Sequence, residues 1–157
     1  MPLQELILLY DVWYLTDAES MQEALGALVK TVDLPESLDR DALLDALLAR
    51  EELASTAIGN GIAIPHVRRF GSESLQHDIV VVAYLFAPVD WKAPDGQPVH
   101  TIFLVLAADE TRHLQILAEI AQLASDESFV EFLKTMPERD AFADRIRALQ
   151  ESNPENG

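Results

Sequence analysis

The chain has 157 residues, a formal net charge of −16 and no cysteine. Its length predicts one domain that buries roughly two thirds of the surface of the unfolded chain. The acidic surplus opposes binding to nucleic acid and to anionic lipid, because neutralising phosphates requires an excess of lysine and arginine. The lack of cysteine excludes disulfides, thiolate metal sites and a cysteine nucleophile, and is typical of a reducing compartment.

The amino-terminal segment has no pattern typical of membrane insertion. Its only apolar run, residues 6–10, follows Glu5 rather than basic residues and is far too short to span a bilayer. We therefore expect a soluble, cytoplasmic protein without membrane insertion. The whole of 1–157 is expected to be one domain, with residues 1–11 as a leader and residues 151–157 as a tail, both prone to fraying.

The first third of the chain predicts two helices. A capping-box pattern at residues 16–19 and apolar residues at helical intervals predict a helix over about 17–31, after a short strand at 12–15. Asp39 is typical of a helix N-cap and predicts a second helix that ends near Arg50.

The remainder of the chain predicts buried strands followed by helices. Two long apolar runs, residues 79–86 and 99–107, indicate strands buried on both faces. The segment 87–98 between them carries three prolines and an Asp-Gly pair, which predict a loop. Three amphipathic helices follow, at about 111–124, around 129–133 and from Pro137 onward. Helices before, between and after strands predict an α/β sandwich with a central, mostly buried sheet.

The stretch STAIGNGIAIPH, residues 55–66, places one histidine at the end of a short apolar strand. Pro65 fixes its own φ and bars a helix, so His66 is held with limited freedom. Gly59 and Gly61 permit positive φ and the close approach of another group. Because ligands of α/β sheets bind at strand ends, His66 is a candidate functional residue, and a structural, hydrogen-bonded histidine is the alternative.

His113 and Arg50 each have two interpretations, one structural and one functional, whereas His77 and His100 have only a structural one. His113 lies in the first turn of a helix, on its apolar stripe, so it is either a core-edge histidine or a group that binds an anion together with the helix N–H groups. Arg50 is either a surface charge stabilised by a helix carboxyl end or a guanidinium that binds an oxyanion. His77 and His100 are expected to be structural.

Together these residues resemble a family: the type-2 IIA domains of the bacterial phosphoenolpyruvate-dependent sugar phosphotransferase system, of the fructose/mannitol and nitrogen-regulatory kind. Residues 47–66, LLAREELASTAIGNGIAIPH, are similar to the family's arginine, Ser-Thr, Ile-Gly-x-Gly and Ala-x-Pro-His pattern. Residues 88–99 resemble the family's loop, and residues 113–115 resemble its second histidine motif. The similarity covers nearly the whole chain, although Ala54 and Ala57 stand where glycine is common.

The resemblance implies a three-layer α/β sandwich, a central mixed β-sheet with helices on both faces, and a phosphoryl carrier that uses no cofactor or metal. His66 would accept a phosphoryl group from HPr or an NPr-like phosphocarrier, with His113 and Arg50 in support and Thr56 contributing a hydroxyl. The group would pass to a IIB domain, or the phosphorylation state would regulate a target protein. Residues 34–41 resemble the regulatory relatives and favour the second role.

Elementary chemistry agrees with a histidine as the carrier. An imidazole with an ordinary pKa near 6.5 is about three quarters neutral at pH 7 and needs no separate general base. The migrating group carries about two negative charges through a loose transition state, so transfer depends on positioning and charge stabilisation. In a chain of net charge −16, a local arginine such as Arg50 is therefore important.

Two other functions remain open from the sequence. A binding module could keep the fold and regulate partners by contact alone, although the retention of both histidines and Arg50 argues against it. A metal hydrolase that uses His66, His77 or His113 is a poorer alternative, since no HxxxH-type pair or nearby carboxylate cluster supports it. The oligomeric state and any sugar remain open.

Overall fold

The structure, a computed structural model, describes residues 1–67, 75 and 77–151. The elements of these residues, in chain order, are α1 Leu3–Leu8, β1 Trp13–Leu15, α2 Met21–Thr31, α3 Arg40–Leu53, β2 Ala57–Gly59, β3 Ile62–Ala63, β4 Ile79–Val89, β5 Val99–Leu106, α4 Glu110–Ala124, α5 Glu127–Lys134 and α6 Arg139–Glu151. None of the helices in this part of the chain combines the length and apolar character needed to cross a bilayer. Residues 152–157, most of the predicted tail, lie outside the described residues.

The strands form one mixed sheet in the order β1-β4-β5-β3-β2. β1 runs parallel to β4 and β3 parallel to β5, while the β4–β5 and β2–β3 pairs are antiparallel. Along β4, Ile79 and Val81 pack into one apolar cluster, and Val80 and Val82 pack into the other. This alternation follows from the two-residue period of a strand. The two long apolar runs are thus central strands that are buried on both faces, as predicted.

Helices cover both faces of this sheet, which confirms the predicted three-layer α/β sandwich. The apolar cluster on one face includes Leu28 of α2 and Leu43 of α3. The cluster on the other face includes side chains of α1, α4, α5 and α6. There Phe142 contacts Phe103 and Phe129 in edge-to-face arrangements, with ring centroids 5.9 and 5.7 Å apart.

The amino-terminal segment forms a packed helix, in contrast to the leader predicted for residues 1–11. Leu3, Leu6 and Ile7 of α1 are buried, and the helix packs against α6 and β4. Their i, i+3, i+4 spacing places the three side chains on one helical face. A six-residue helix is too short to be stable by itself, so packing against the rest of the domain decides its formation.

The helix α2 begins later than predicted, at Met21. The Oγ of Ser20 accepts a hydrogen bond from the N–H of Glu23 at 3.1 Å, and the Glu23 carboxylate accepts one from the N–H of Glu19 at 2.8 Å. The prediction took Thr16 and Glu19 as the capping pair, but the same spacing recurs at Ser20 and Glu23. The second pair lies directly before the apolar stripe and caps the helix.

The loop between the central strands is shorter than predicted. β4 continues to Val89, so the segment predicted as a loop at 87–98 is irregular only over 90–98. Trp91, near the start of this loop, is buried in the apolar cluster shared by α2 and α3. The loop is therefore anchored to the core rather than free at the surface.

Candidate functional site

A tight hairpin directs the chain toward His66. β2 and β3 pair through Gly59 and Ile62, and the two residues between them, Asn60 and Gly61, have φ values of 57° and 77°. Positive φ at both central positions is typical of the type I′ turn that an Asn-Gly pair favours. Because this turn suits the twist of the strands, it returns the chain alongside β5, where His66 ends the run.

The backbone around His66 is bonded to the central sheet. The N–H of Val105 in β5 donates to the carbonyl of Pro65 at 3.0 Å, and His66 forms a parallel bridge with Val105. As a residue, His66 is half-buried. His66 thus lies just beyond the end of β3 in the sheet, at a strand end as predicted.

One hydrogen bond determines which nitrogen of His66 carries the proton. Nδ1 lies 2.7 Å from the carbonyl oxygen of Ile64. A carbonyl oxygen only accepts hydrogen bonds, so Nδ1 must donate. In the neutral ring the lone pair therefore resides on Nε2.

The structure brings the second predicted histidine to the first. Asp109 caps α4, and His113 lies one turn into this helix, where it is only 4% exposed. The rings of His66 and His113 have centroids 4.9 Å apart and planes inclined at 71°. This edge-to-face contact joins two residues that are distant in sequence.

Carboxylates occupy the amino-terminal end of α4. The side chain of Asp109 accepts a hydrogen bond from the N–H of Arg112 at 2.8 Å. Asp78 accepts one from the N–H of Ala108 and one from Nε of Arg112, both at 2.9 Å. The predicted binding of an anion by the N–H groups of this helix end therefore competes directly with Asp109, and the charge of Asp78 lies beside it.

Arg50 lies in the last turn of α3, which runs past it to Leu53. Its Nη1 donates a hydrogen bond to the carbonyl of Ala54 at 2.7 Å. This bond satisfies a carbonyl at the carboxyl end of the helix, as the surface interpretation predicts. Among the described residues, no hydrogen bond joins Arg50 to His66 or to His113.

Glu51, the neighbour of Arg50, was not predicted as a site residue. The residue is 8% exposed, and its carboxylate accepts hydrogen bonds from the N–H of Thr56 at 3.0 Å and from Nε1 of Trp91 at 3.1 Å. The hydroxyl of Thr56 also donates to it. A hydroxyl has one proton, which Thr56 here directs to Glu51, so the expected contribution of this hydroxyl to a phosphoryl group stays a prediction and requires Thr56 to change its acceptor.

The sequence contains a signal that points to Glu51. Leu43, Leu47 and Glu51 follow one another at four-residue intervals, and all three are buried in α3. A carboxylate on the apolar stripe of a helix requires partners, since a buried charge without hydrogen bonds is strongly unfavourable. The spacing marks the residue, but it does not show which donors it meets.

The comparison with protein families agrees with this geometry. The family described as "Phosphoenolpyruvate-dependent sugar phosphotransferase system, EIIA 2" matches residues 9–148. The chain belongs to this family. Membership makes it a phosphocarrier component of the phosphotransferase system.

Individual relatives of this EIIA type-2 chain come from both the regulatory and the sugar-transport branches. It is 40% identical to a nitrogen regulatory protein of Pseudomonas aeruginosa over 111 residues, 69% of this chain and 70% of the relative. It is 34% identical to the mannitol-specific phosphotransferase enzyme IIA component of Halalkalibacterium halodurans over 120 residues, 76% of this chain and 79% of the relative. The crystal structure of nitrogen regulatory protein IIA-Ntr from Neisseria meningitidis superposes with a TM-score of 0.74 and 29% identity, covering 85% of this chain and 91% of that one.

The two remaining histidines of this EIIA type-2 chain have structural partners. Nε2 of His77 lies 3.2 Å from the hydroxyl of Tyr10, and Nδ1 of His100 lies 2.8 Å from Oγ1 of Thr101. Burial lowers the pKa of the His100 imidazole, because desolvation disfavours its charged form. Within the described residues, no group of three His, Asp or Glu side chains is placed to hold a metal ion.

Proposed function

We propose that Nε2 of His66 accepts and releases a phosphoryl group, with His113 and Arg50 stabilising its charge. The observation that carries this proposal is the hydrogen bond from Nδ1 of His66 to the Ile64 carbonyl, beside the buried ring of His113. The bond places the proton on Nδ1 and the nucleophilic lone pair on Nε2. No general base is then needed to activate the ring.

The transfer step balances without a further reactant. The bond between phosphorus and the donor's nitrogen breaks, and its electron pair returns to the donor's imidazole. A bond forms between phosphorus and Nε2 of His66, which leaves this ring positively charged with its proton still on Nδ1. The carbonyl of Ile64, 2.7 Å away, stabilises that N–H more strongly once the ring is charged.

His113 and Arg50 contribute to charge stabilisation in different ways. His113 is already in contact with the His66 ring, and a ring N–H of His113 can donate to a phosphoryl oxygen with little reorganisation. Arg50 gives one of its five N–H donors to the Ala54 carbonyl, so the others can bind a phosphoryl oxygen. The bond to Ala54 is exposed and its acceptor is neutral, whereas a guanidinium–phosphate pair is charge-assisted and can be bidentate.

HPr or an NPr-like phosphocarrier is the proposed donor, and a IIB domain or a regulated target protein is the proposed acceptor. Identities to nitrogen regulatory proteins range from 33% to 40% and overlap the 34% identity to a mannitol IIA component, so the proposed regulatory role rests on the resemblance of residues 34–41 to the regulatory relatives. A fold neighbour, mannitol IIA from Escherichia coli, forms a complex with phosphorylated IIB. Because donor and acceptor reach the same ring in turn, the half-buried state of His66 suits both encounters.

Phosphorylation in a reconstituted system tests the proposal. The protein is incubated with phosphoenolpyruvate, the first enzyme of the system and HPr or an NPr-like protein, and its intact mass is measured. We expect one acid-labile phosphoryl adduct in the wild type and none in His66→Ala. If the wild type forms no adduct with HPr and none with the NPr-like protein, the proposal is overturned, and a binding module that acts without phosphorylation is supported.

A further inference from the structure

We infer that Glu51 is a positioning residue, whose buried carboxylate sets the tautomer and orientation of the His66 ring through Thr56 and Ile64. The inference deepens the proposed function and rests on His66 as the phosphoryl acceptor. Glu51 itself makes no contact with the ring among the hydrogen bonds of the described residues. Its effect is transmitted by a chain of hydrogen bonds through Thr56 and Ile64.

The first link is the carboxylate of Glu51. It accepts three hydrogen bonds, two from Thr56 and one from Trp91, and it is almost completely buried. A carboxylate has only acceptor atoms, and all three partners are donors, so the arrangement is complementary. Burial makes each missing bond costly, which is why such a group holds its partners in one geometry.

The second and third links run through the hairpin. The carbonyl of Thr56 accepts a hydrogen bond from the N–H of Ile64 at 3.0 Å. The carbonyl of Ile64 accepts one from Nδ1 of His66 at 2.7 Å. Thr56 is therefore bonded through its N–H, its hydroxyl and its carbonyl, and its position determines where the Ile64 carbonyl meets His66.

A second arm of the same network fixes the loop beside the hairpin. Trp91 donates its indole N–H to Glu51 and accepts a hydrogen bond at its carbonyl from Oγ of Ser55 at 2.6 Å. Oγ of Ser55 in turn accepts one from the N–H of Ala57 at 3.1 Å. Glu51 thus joins α3, the hairpin before His66 and the loop after β4. Arg50 and Glu51 are adjacent in sequence, so the proposed charge stabiliser and the positioning group share one helix end.

Glu51→Gln is the most specific test because it preserves the shape of the side chain. One carboxylate oxygen becomes an NH2 group, which faces either the N–H of Thr56 or both the hydroxyl of Thr56 and the indole N–H of Trp91. The substitution therefore removes one acceptor and introduces a donor–donor conflict in a buried site. We expect Thr56 to shift and the bond from His66 to the Ile64 carbonyl to weaken.

The direct readout is the imidazole 15N spectrum of His66 in the unphosphorylated protein, recorded at a pH where the ring is neutral. Wild type is expected to show the Nδ1–H tautomer, and Glu51→Gln a mixture of the two tautomers. The rate of phosphoryl transfer to His66 should fall roughly 10- to 100-fold, by analogy with outer-shell groups that orient metal-ligating histidines. A loss of stability alone does not move a tautomer in molecules that remain folded.

Tyr84→Phe is the matched control. The Tyr84 hydroxyl is buried and donates to the carbonyl of Pro137 at 2.7 Å, within the apolar cluster on the other face of the sheet. This variant also loses one buried hydrogen bond, but it leaves the Glu51 network intact. We expect a similar loss of stability with the tautomer and the transfer rate of wild type.

Two further variants keep the inference testable if Glu51→Gln does not fold. Thr56→Val removes the hydroxyl donor and Trp91→Phe removes the indole donor, and each should produce a smaller tautomer change. The inference is overturned if folded Glu51→Gln keeps the Nδ1–H tautomer, or if both Thr56→Val and Trp91→Phe keep it. It is also overturned if the wild type itself has the Nε2–H tautomer. The tautomer is measured on unphosphorylated protein, so it decides the role of Glu51 independently of phosphorylation. Failure of the wild type to accept a phosphoryl group would overturn the proposed function separately.

Discussion

The ring of His113 meets the ring of His66 edge to face, with centroids 4.9 Å apart. His113 is a buried residue of α4, whereas His66 is half-buried and follows β3 along the edge of β5. His113 is therefore enclosed by the protein, and His66 is partly exposed to solvent. Because His66 is bonded to β5 and α4 packs on β5, the spacing of the pair is set by the packing of this helix on the sheet.

Replacing His113 should slow phosphoryl transfer and shorten the lifetime of the adduct. His113→Phe keeps an aromatic ring beside His66 but has no N–H, so it separates packing from hydrogen bonding. We expect a fall of about 100-fold in transfer rate, the typical effect of removing one preorganised donor. Quenched-flow labelling and the decay of the isolated adduct measure the two quantities. His77→Phe is the control, because it replaces a histidine that is bonded to Tyr10 instead. Wild-type kinetics in His113→Phe would show that His113 contributes only packing.

Arg50 should matter for transfer and little for stability. Arg50→Gln removes the charge and Arg50→Lys removes the planar fork, so we expect a loss of about 100-fold in the first and an intermediate rate in the second. The free energy of unfolding should change by no more than about 1 kcal/mol, because the bond to Ala54 is exposed. Arg147→Gln, which removes an exposed arginine paired with Asp144, is the matched control. Normal labelling of Arg50→Gln would show that Arg50 only caps α3.

Three glycines should respond differently to alanine. Gly96 has a φ of 73° and open space around it, so Gly96→Ala should cost only the backbone strain of about 1–2 kcal/mol. Gly61 has a φ of 77°, and an added Cβ would overlap the imidazole of His100, so its loss should be larger. Gly26 lies inside α2 with open space, and Gly26→Ala should stabilise the protein by about 0.5–1 kcal/mol.

Urea denaturation of these three variants gives the order directly. His100→Ala combined with Gly61→Ala should recover part of the loss, because the overlap is removed while the strain remains. Equal losses for Gly61→Ala and Gly96→Ala would contradict the close packing of His100 on the hairpin.

His100 should make the protein less stable as the pH falls. Burial is the main cause that lowers the pKa of its imidazole; Lys134 acts in the same direction, and a hydrogen bond to the Asn60 backbone and the charge of Glu131 act in the opposite direction. The unfolded chain then binds a proton at a pH where the folded chain does not, so the stabilising contribution is complete above about pH 6.5 and decreases as the pH falls toward the folded pKa. We expect the free energy of unfolding to fall less between about pH 7 and pH 5 in His100→Gln than in wild type. Parallel curves for the two proteins would contradict this coupling.

The repeating patterns of the chain are visible in the sequence because they depend on near neighbours. Apolar runs predicted β4 and β5, and Asp39 predicted the start of α3. The stretch around His66 predicted a strand-end histidine, and the stripe of α4 predicted that His113 faces the sheet. Each of these features is a matter of local spacing, which two- and 3.6-residue periods express directly.

Only the tertiary structure determined which groups meet. The sequence placed Thr56 and Arg50 beside the candidate site, but packing gave the Thr56 hydroxyl to Glu51 and the Arg50 guanidinium to Ala54. The same is true of α1, whose burial depends on α6 at the far end of the chain. Residue spacing indicates which side of a helix or strand is buried. The partner of a buried donor or acceptor depends instead on how segments that are far apart in the sequence pack together, and local spacing does not encode that packing.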